Sequence, residues 1–142
     1  MWQRIQTLYL AIATALLASM FFCKFATIVG PQGNDLEIMY WEKIPYVTLL
    51  AISTLGNIFS LLAFKIRMPQ MRVATGAAIV LLAFQCWIVV DLARNWNEMS
   101  FSVTALFPLI AAILDIMAAR SILLDEAMVQ SSARLRASKR KR

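Results

Sequence analysis

The chain has 142 residues, 61% of them hydrophobic and 15% charged, with a net charge of +6 at pH 7 and a mean hydropathy of +0.68. One domain fits this length, and a water-soluble one is excluded because too few polar residues remain to cover its surface. With no histidine, and with two cysteines, Cys23 and Cys86, outside any CxxC spacing, a zinc centre is excluded as well.

Four charge-free apolar runs follow one another: Ile5 to Cys23, Ile44 to Phe64, Val73 to Val90 and Met99 to Leu114. A transmembrane helix needs about 20 mostly apolar residues. The first three runs meet that directly, and the fourth meets it by continuing past Asp115 to Ala119. The expected fold is therefore an all-α integral membrane protein with four transmembrane helices, over about 5–23, 44–64, 73–90 and 99–119. These make one domain over 1–119, and 120–142 is expected to be a cytoplasmic amphipathic helix with a basic tail, extending span four. Arg4 before the first apolar run imitates a signal peptide, but "MFFCKF" offers no small-x-small cleavage signal, so an uncleaved first span is expected.

Span one carries Ala11, Ala15 and Ser19 at intervals of four, and span two carries Ser53, Gly56, Ser60 and Ala63 at intervals of three and four. Helices in lipid associate through small residues that allow close approach. Both rows are thus candidate helix-packing faces, toward a neighbour in the chain or in another subunit. The segment between these spans, Lys24 to Lys43, centres on the turn signal Gly30-Pro31-Gln32-Gly33-Asn34-Asp35 between two β-branched and aromatic stretches, which predicts a short external hairpin.

Spans two and three are joined by the brief "KIRMPQMR", with Pro69 terminating the turn, and spans three and four by "DLARNWNE". Pro108 stands about nine residues into the fourth span and removes the hydrogen bond to the Thr104 carbonyl, so a kink is expected there. Cys23 and Cys86 fall toward the same end of their helices. A disulfide is geometrically open to them, with free thiols preferred.

Eleven Lys and Arg residues flank one side of the spans, at Arg4, in the loop with Lys65, Arg67 and Arg72, and in the tail, against Lys24, Lys43 and Arg94 on the other. Basic loops stay in the cytoplasm, so both termini are expected there. Trp2 and Tyr9 at one interface, and Tyr40, Trp41, Tyr46, Trp87 and Trp96 at the other, read as aromatic belts.

The polar residues inside the spans are Gln6, Asn57, Gln85 and Asp115. Counting along the helices brings Gln6, Asn57 and Asp115 toward the cytoplasmic side, where they are expected to meet in one layer. A hydrogen-bonded structural cluster is preferred there to proton or ion handling.

Nothing in the chain resembles a catalytic site: paired carboxylates at helical spacing in the membrane, a phosphate loop and GxSxG are all missing. No catalytic residue, cofactor or metal is expected. In the tail, Leu124, Met128 and Leu135 fall on one narrow face with Ala127 and Ser131. With Arg134 and Arg136 they form a candidate partner-docking surface, while six of the last nine residues are Lys or Arg and suit anionic lipid better than specific nucleic acid.

The opening "MWQRIQTLYL", the "FP" of span four and the finish "AARSILLDEAMVQSSARLR" resemble a family of short four-span inner-membrane proteins of Bacteroidota, classed as a domain of unknown function. The resemblance covers essentially the whole length and implies a multi-pass protein of a Gram-negative cytoplasmic membrane. Gln130 stands where a basic residue is expected in the finishing motif, and Ala133 where an acidic one is. The function expected from all this is a non-enzymatic accessory or scaffold subunit of a larger inner-membrane complex, serving for example envelope biogenesis or protein export, with membrane lipids and other membrane subunits as partners. A small oligomeric transporter or channel, and a tail adaptor for anionic lipid, are the alternatives.

Overall fold

The computed structural model describes residues 2–31 and 33–140, and of these the side chains of 2–4, 64, 67 and 137–140 lie outside the description. The belt role expected of Trp2, the flanking charge of Arg4 and the terminal basic run fall outside it too. The described residues form four helices, α1 (Trp2–Met20), α2 (Ile44–Leu62), α3 (Arg67–Arg94) and α4 (Phe107–Arg140), and three strands, β1 (Lys24–Val29), β2 (Asp35–Met39) and β3 (Met99–Phe101). The molecule is mostly helical, and among the described residues three helices are long and apolar enough to cross a membrane, α2, Met68–Arg94 and Val103–Arg136, beside the shorter apolar Ile5–Met20.

The helices close into a bundle in which α1 packs on α2 and α4, and α3 packs on α2 and α4. Its centre is lined by small side chains, with Ala13, Ala74, Ala77, Ala78, Ala111, Ala112 and Ala118 buried. Small residues bring helix backbones close, which raises dispersion contact where lipid offers no hydrophobic drive. Leu8, Leu55, Ile79 and Ile113 meanwhile point outward, as expected of a bundle whose surround is hydrocarbon rather than water.

The hairpin forms as the turn residues require. Gly30 donates its amide to the Asn34 carbonyl at 2.9 Å, and Gly33 takes φ +76°, which side chains resist. The all-α expectation, however, needs correcting. β1 pairs antiparallel with both β2 (Thr27 opposite Glu37) and β3 (Thr27 opposite Ser100), making a sheet of order β2-β1-β3 at one end of the bundle. Met99–Phe101, expected inside span four, is its third strand: β1 exposes a free edge whose peptide groups need partners, and Met99–Phe101 supplies them.

The prolines also read differently in the folded chain. Pro108 is the second residue of α4 and Pro69 the third of α3, so the kink in span four and the turn ended by Pro69 are both corrected. In each case proline sits in a first turn, where its missing N–H costs no helix hydrogen bond. Pro45 does the same at the start of α2.

Candidate functional site

At the sheet end, several strong polar groups are tied to one another. Lys43 Nζ lies 2.8 Å from Asp91 Oδ2, the Tyr46 hydroxyl donates to the same oxygen, and the Lys43 ammonium stands 5.2 Å from the Phe25 ring centre and 5.3 Å from that of Tyr46. Phe25 packs on Tyr40, Tyr46 and Phe101 with centroids 4.8–5.4 Å apart, the tilted and edge-to-face distances that aromatic quadrupoles favour.

Tyr40 donates to Thr104 Oγ1 at 3.2 Å, and Thr104 donates to the Lys24 carbonyl at 2.8 Å. Burial pushes the Tyr40 phenol up to about 12, with the Thr104 hydrogen bond opposing that only in part. Tyr40 and Tyr46 are thus core residues rather than belt residues, whereas Trp41, Trp87 and Trp96 keep the exposure a belt needs. On the sheet's outer surface Glu37 accepts from Lys24 at 2.8 Å and raises its pKa. Cys23 is half-buried, Cys86 exposed, and both are free thiols.

The other end of the bundle is organised differently. Gln6, Asn57 and Asp115 are all buried, but they do not share a layer. Leu10, Leu61, Ala74 and Ala118 pack together as an apolar level. Leu10 follows Gln6 by one turn in α1, whereas Leu61 and Ala118 follow Asn57 and Asp115 by about one turn in helices of opposite direction. The apolar level therefore separates Gln6 from the other two, with about 6 Å of helix rise on either side.

Asn57 does lie beside Asp115, near enough to act on its carboxyl. Neither residue makes a hydrogen bond of good geometry, however: Asn57 Nδ2 and Oδ1, both Asp115 carboxyl oxygens and Gln6 Nε2 are buried without a partner among the described residues. An unsatisfied polar group away from water costs free energy, so this pair is not a settled structural hydrogen bond. Around it the hydroxyls are occupied, with Ser53 and Thr54 donating to carbonyls of their own helix and Ser60 to the Gln70 carbonyl of α3 at 3.2 Å.

The two small-residue rows part ways. Ser53 and Ser60 are buried and Gly56 half-buried toward α3, where a Cβ on Gly56 would meet Ala77 at 3.4 Å. Ala11 and Ala15 lie on the outer surface and Ser19 is half-buried. Within the chain α1 packs through Leu10, Ala13, Leu17 and Met20 instead, so Ala11 and Ala15 face away from the centre of that packing and Ser19 lies at its edge.

Beyond the bundle, α4 continues without a break through Arg120 to Arg140. Ile122 is still buried, but Leu124, Met128 (56% exposed), Arg134, Leu135 (73%) and Arg136 are exposed. Gln130, in the place where a basic side chain was expected, donates to Glu126 one turn earlier at 3.3 Å. Sequence reasoning missed the Lys43–Asp91–Tyr46 group. Its signal was present as Lys43 and Asp91 standing at the adjoining ends of two apolar runs.

The model of a family described as a domain of unknown function, DUF4293, matches residues 2–135, and the chain belongs to that family. Among curated proteins, none matches it.

Proposed function

We propose that this DUF4293 member is a non-enzymatic accessory or scaffold subunit of a larger complex in the inner membrane of a bacterium of the Bacteroidota, with four spans and both termini in the cytoplasm. The observation that carries this reading is the tail of α4. Three apolar side chains, Leu124, Met128 and Leu135, are held out on a helix that extends past the bundle, with Arg134 and Arg136 beside them. At 34 residues α4 measures roughly 51 Å, against about 28 Å for α2. Its excess length thus projects beyond the bundle into water, where exposed leucine and methionine are costly and mark a surface for a partner. The complex served would be one of envelope biogenesis or protein export, with lipids and membrane subunits rather than specific nucleic acid as partners.

The test is a photo-crosslinker placed at Met128 of the full chain in native membranes. The expected result is one discrete protein adduct, lost when Leu124 and Leu135 are both changed to glutamate while membrane insertion is unchanged. Recovery of the chain only as an uncrosslinked monomer would count against the reading.

A second reading, a small oligomeric transporter, is favoured by the buried and unpartnered Asn57–Asp115 pair. An ionisable intramembrane side chain is functional by default. Asp115→Asn should then abolish ion or proton flux in liposomes holding the purified chain, and unchanged flux would remove Asp115 from any such mechanism.

A further inference from the structure

Between α3 and α4, toward the tail, two adjoining cavities of about 290 and 280 Å³ share Met71 and Leu123 and together make a slot. It follows α4 from Ile116 to Gln130, roughly 21 Å of helix rise. The bundle-ward cavity is lined by Met71, Thr75, Ile116, Ala119, Arg120 and Leu123. Thr75 spends its hydroxyl on the Met71 carbonyl at 2.8 Å, so the wall is apolar and Arg120 is the single charge on it.

Arg120 is exposed and makes no salt bridge among the described residues. Arg72, next to Met71 on α3, is exposed but lines neither cavity. Glu126 lines only the tail-ward cavity and is bonded to Gln130.

We propose that this slot is a binding site for an anionic phospholipid, its acyl chain lying against Met71, Ile116 and Leu123 and its phosphate held by Arg120. The inference rests on the membrane reading above, and is independent of any protein partner. In that reading Arg120 stands about 7 Å of helix rise below Asp115, at the depth where an arginine lays its stem along apolar surface and lifts its charge to the headgroups. An acyl chain matches an apolar wall, and the guanidinium forms paired hydrogen bonds with phosphate oxygens. A zwitterionic lipid offers the same chain but adds a cation next to Arg120, so net negative headgroups are selected.

The test uses the purified, delipidated full chain in detergent, titrated with phosphatidylglycerol or with phosphatidylcholine of identical acyl chains and read by native mass spectrometry. The chain should retain phosphatidylglycerol about fivefold better, the order expected of one basic side chain near an anionic lipid. Arg120→Gln should erase that preference, and Arg134→Gln, out on the tail, should leave it intact. Thr75→Phe, which fills the slot from an exposed position, should lower retention of both lipids while circular dichroism stays unchanged.

Equal retention of the two lipids by the unaltered chain, or an unchanged preference in Arg120→Gln, would overturn the proposal. So would a dimer that excludes lipid from the slot. Each readout is made on the isolated chain, so loss of the Met128 crosslink would leave this result standing, and the reverse.

Discussion

The two ends of this bundle solve the same problem in opposite ways. At the sheet end, charged and phenolic side chains enter the protein only in company: Asp91 receives both Lys43 and Tyr46, and Tyr40, Thr104 and the Lys24 carbonyl form a chain of hydrogen bonds. Toward the tail, Asn57, Asp115 and Gln6 are buried with five atoms left over among the described residues, against the single Oε1 of Gln85 in the half of α3 nearer the sheet. A fully satisfied polar group locks a structure, whereas a partly satisfied one is kept at a cost. The sheet end therefore reads as the stabilised part of the molecule, and the tail end as the part held ready for something else.

That contrast can be broken most directly at Phe25, the buried ring on which Tyr40, Tyr46 and Phe101 converge. Phe25→Ala should cost about 3–5 kcal/mol, as large-to-small changes of packed aromatics do, measured by unfolding in detergent; a loss under about 1 kcal/mol would show the aromatic cluster to be ornamental. Lys43→Met comes next, because it leaves the Asp91 carboxylate half-buried without its cation. A loss of about 1–3 kcal/mol is expected, and the double variant Lys43→Met with Asp91→Leu should recover much of it.

The opposite sign is expected at the other end. Replacing Asn57 and Asp115 together by leucine removes four unpartnered atoms, and should leave stability unchanged or raise it by about 1 kcal/mol. A loss comparable to that of Lys43→Met would make the pair structural and erase the difference between the ends. Gly33→Ala, at φ +76°, should cost about 1 kcal/mol by opening the hairpin turn. The smallest effect is expected at Pro108→Ala, within about 0.5 kcal/mol, since Pro108 lies in the first turn of α4. A clear loss there would restore the kinked span in place of the helix start.

Much of the fold was legible in the residues themselves. The apolar runs of α2 and α3, the helical tail and the Gly30–Asp35 turn follow from hydropathy and glycine chemistry, which act over a few neighbours in the chain. The third strand was not, because three residues such as Met99–Phe101 carry no strand signal of their own; they become a strand through β1, which lies far away in sequence. Ala11, Ala15 and Ser19 show the same limit on a helix face: their spacing puts them on one side of α1, but which side meets α2 and α4 is settled by Leu10, Ala13 and Leu17 filling the space between helices.

By itself, the sequence determined where the chain is apolar, how long those stretches run and where they are punctuated, since the transfer of side chains out of water is a property of each residue and its near neighbours. Only the tertiary structure decided which groups end up together: that Lys43 finds Asp91, that Asn57 reaches Asp115 while Leu10, Leu61 and Ala118 hold Gln6 apart, and that α3 and α4 leave a slot beside Arg120. Those pairings depend on helix rotation and on contacts between residues distant in the chain, and both are set by packing in three dimensions, which spacing along one helix leaves open.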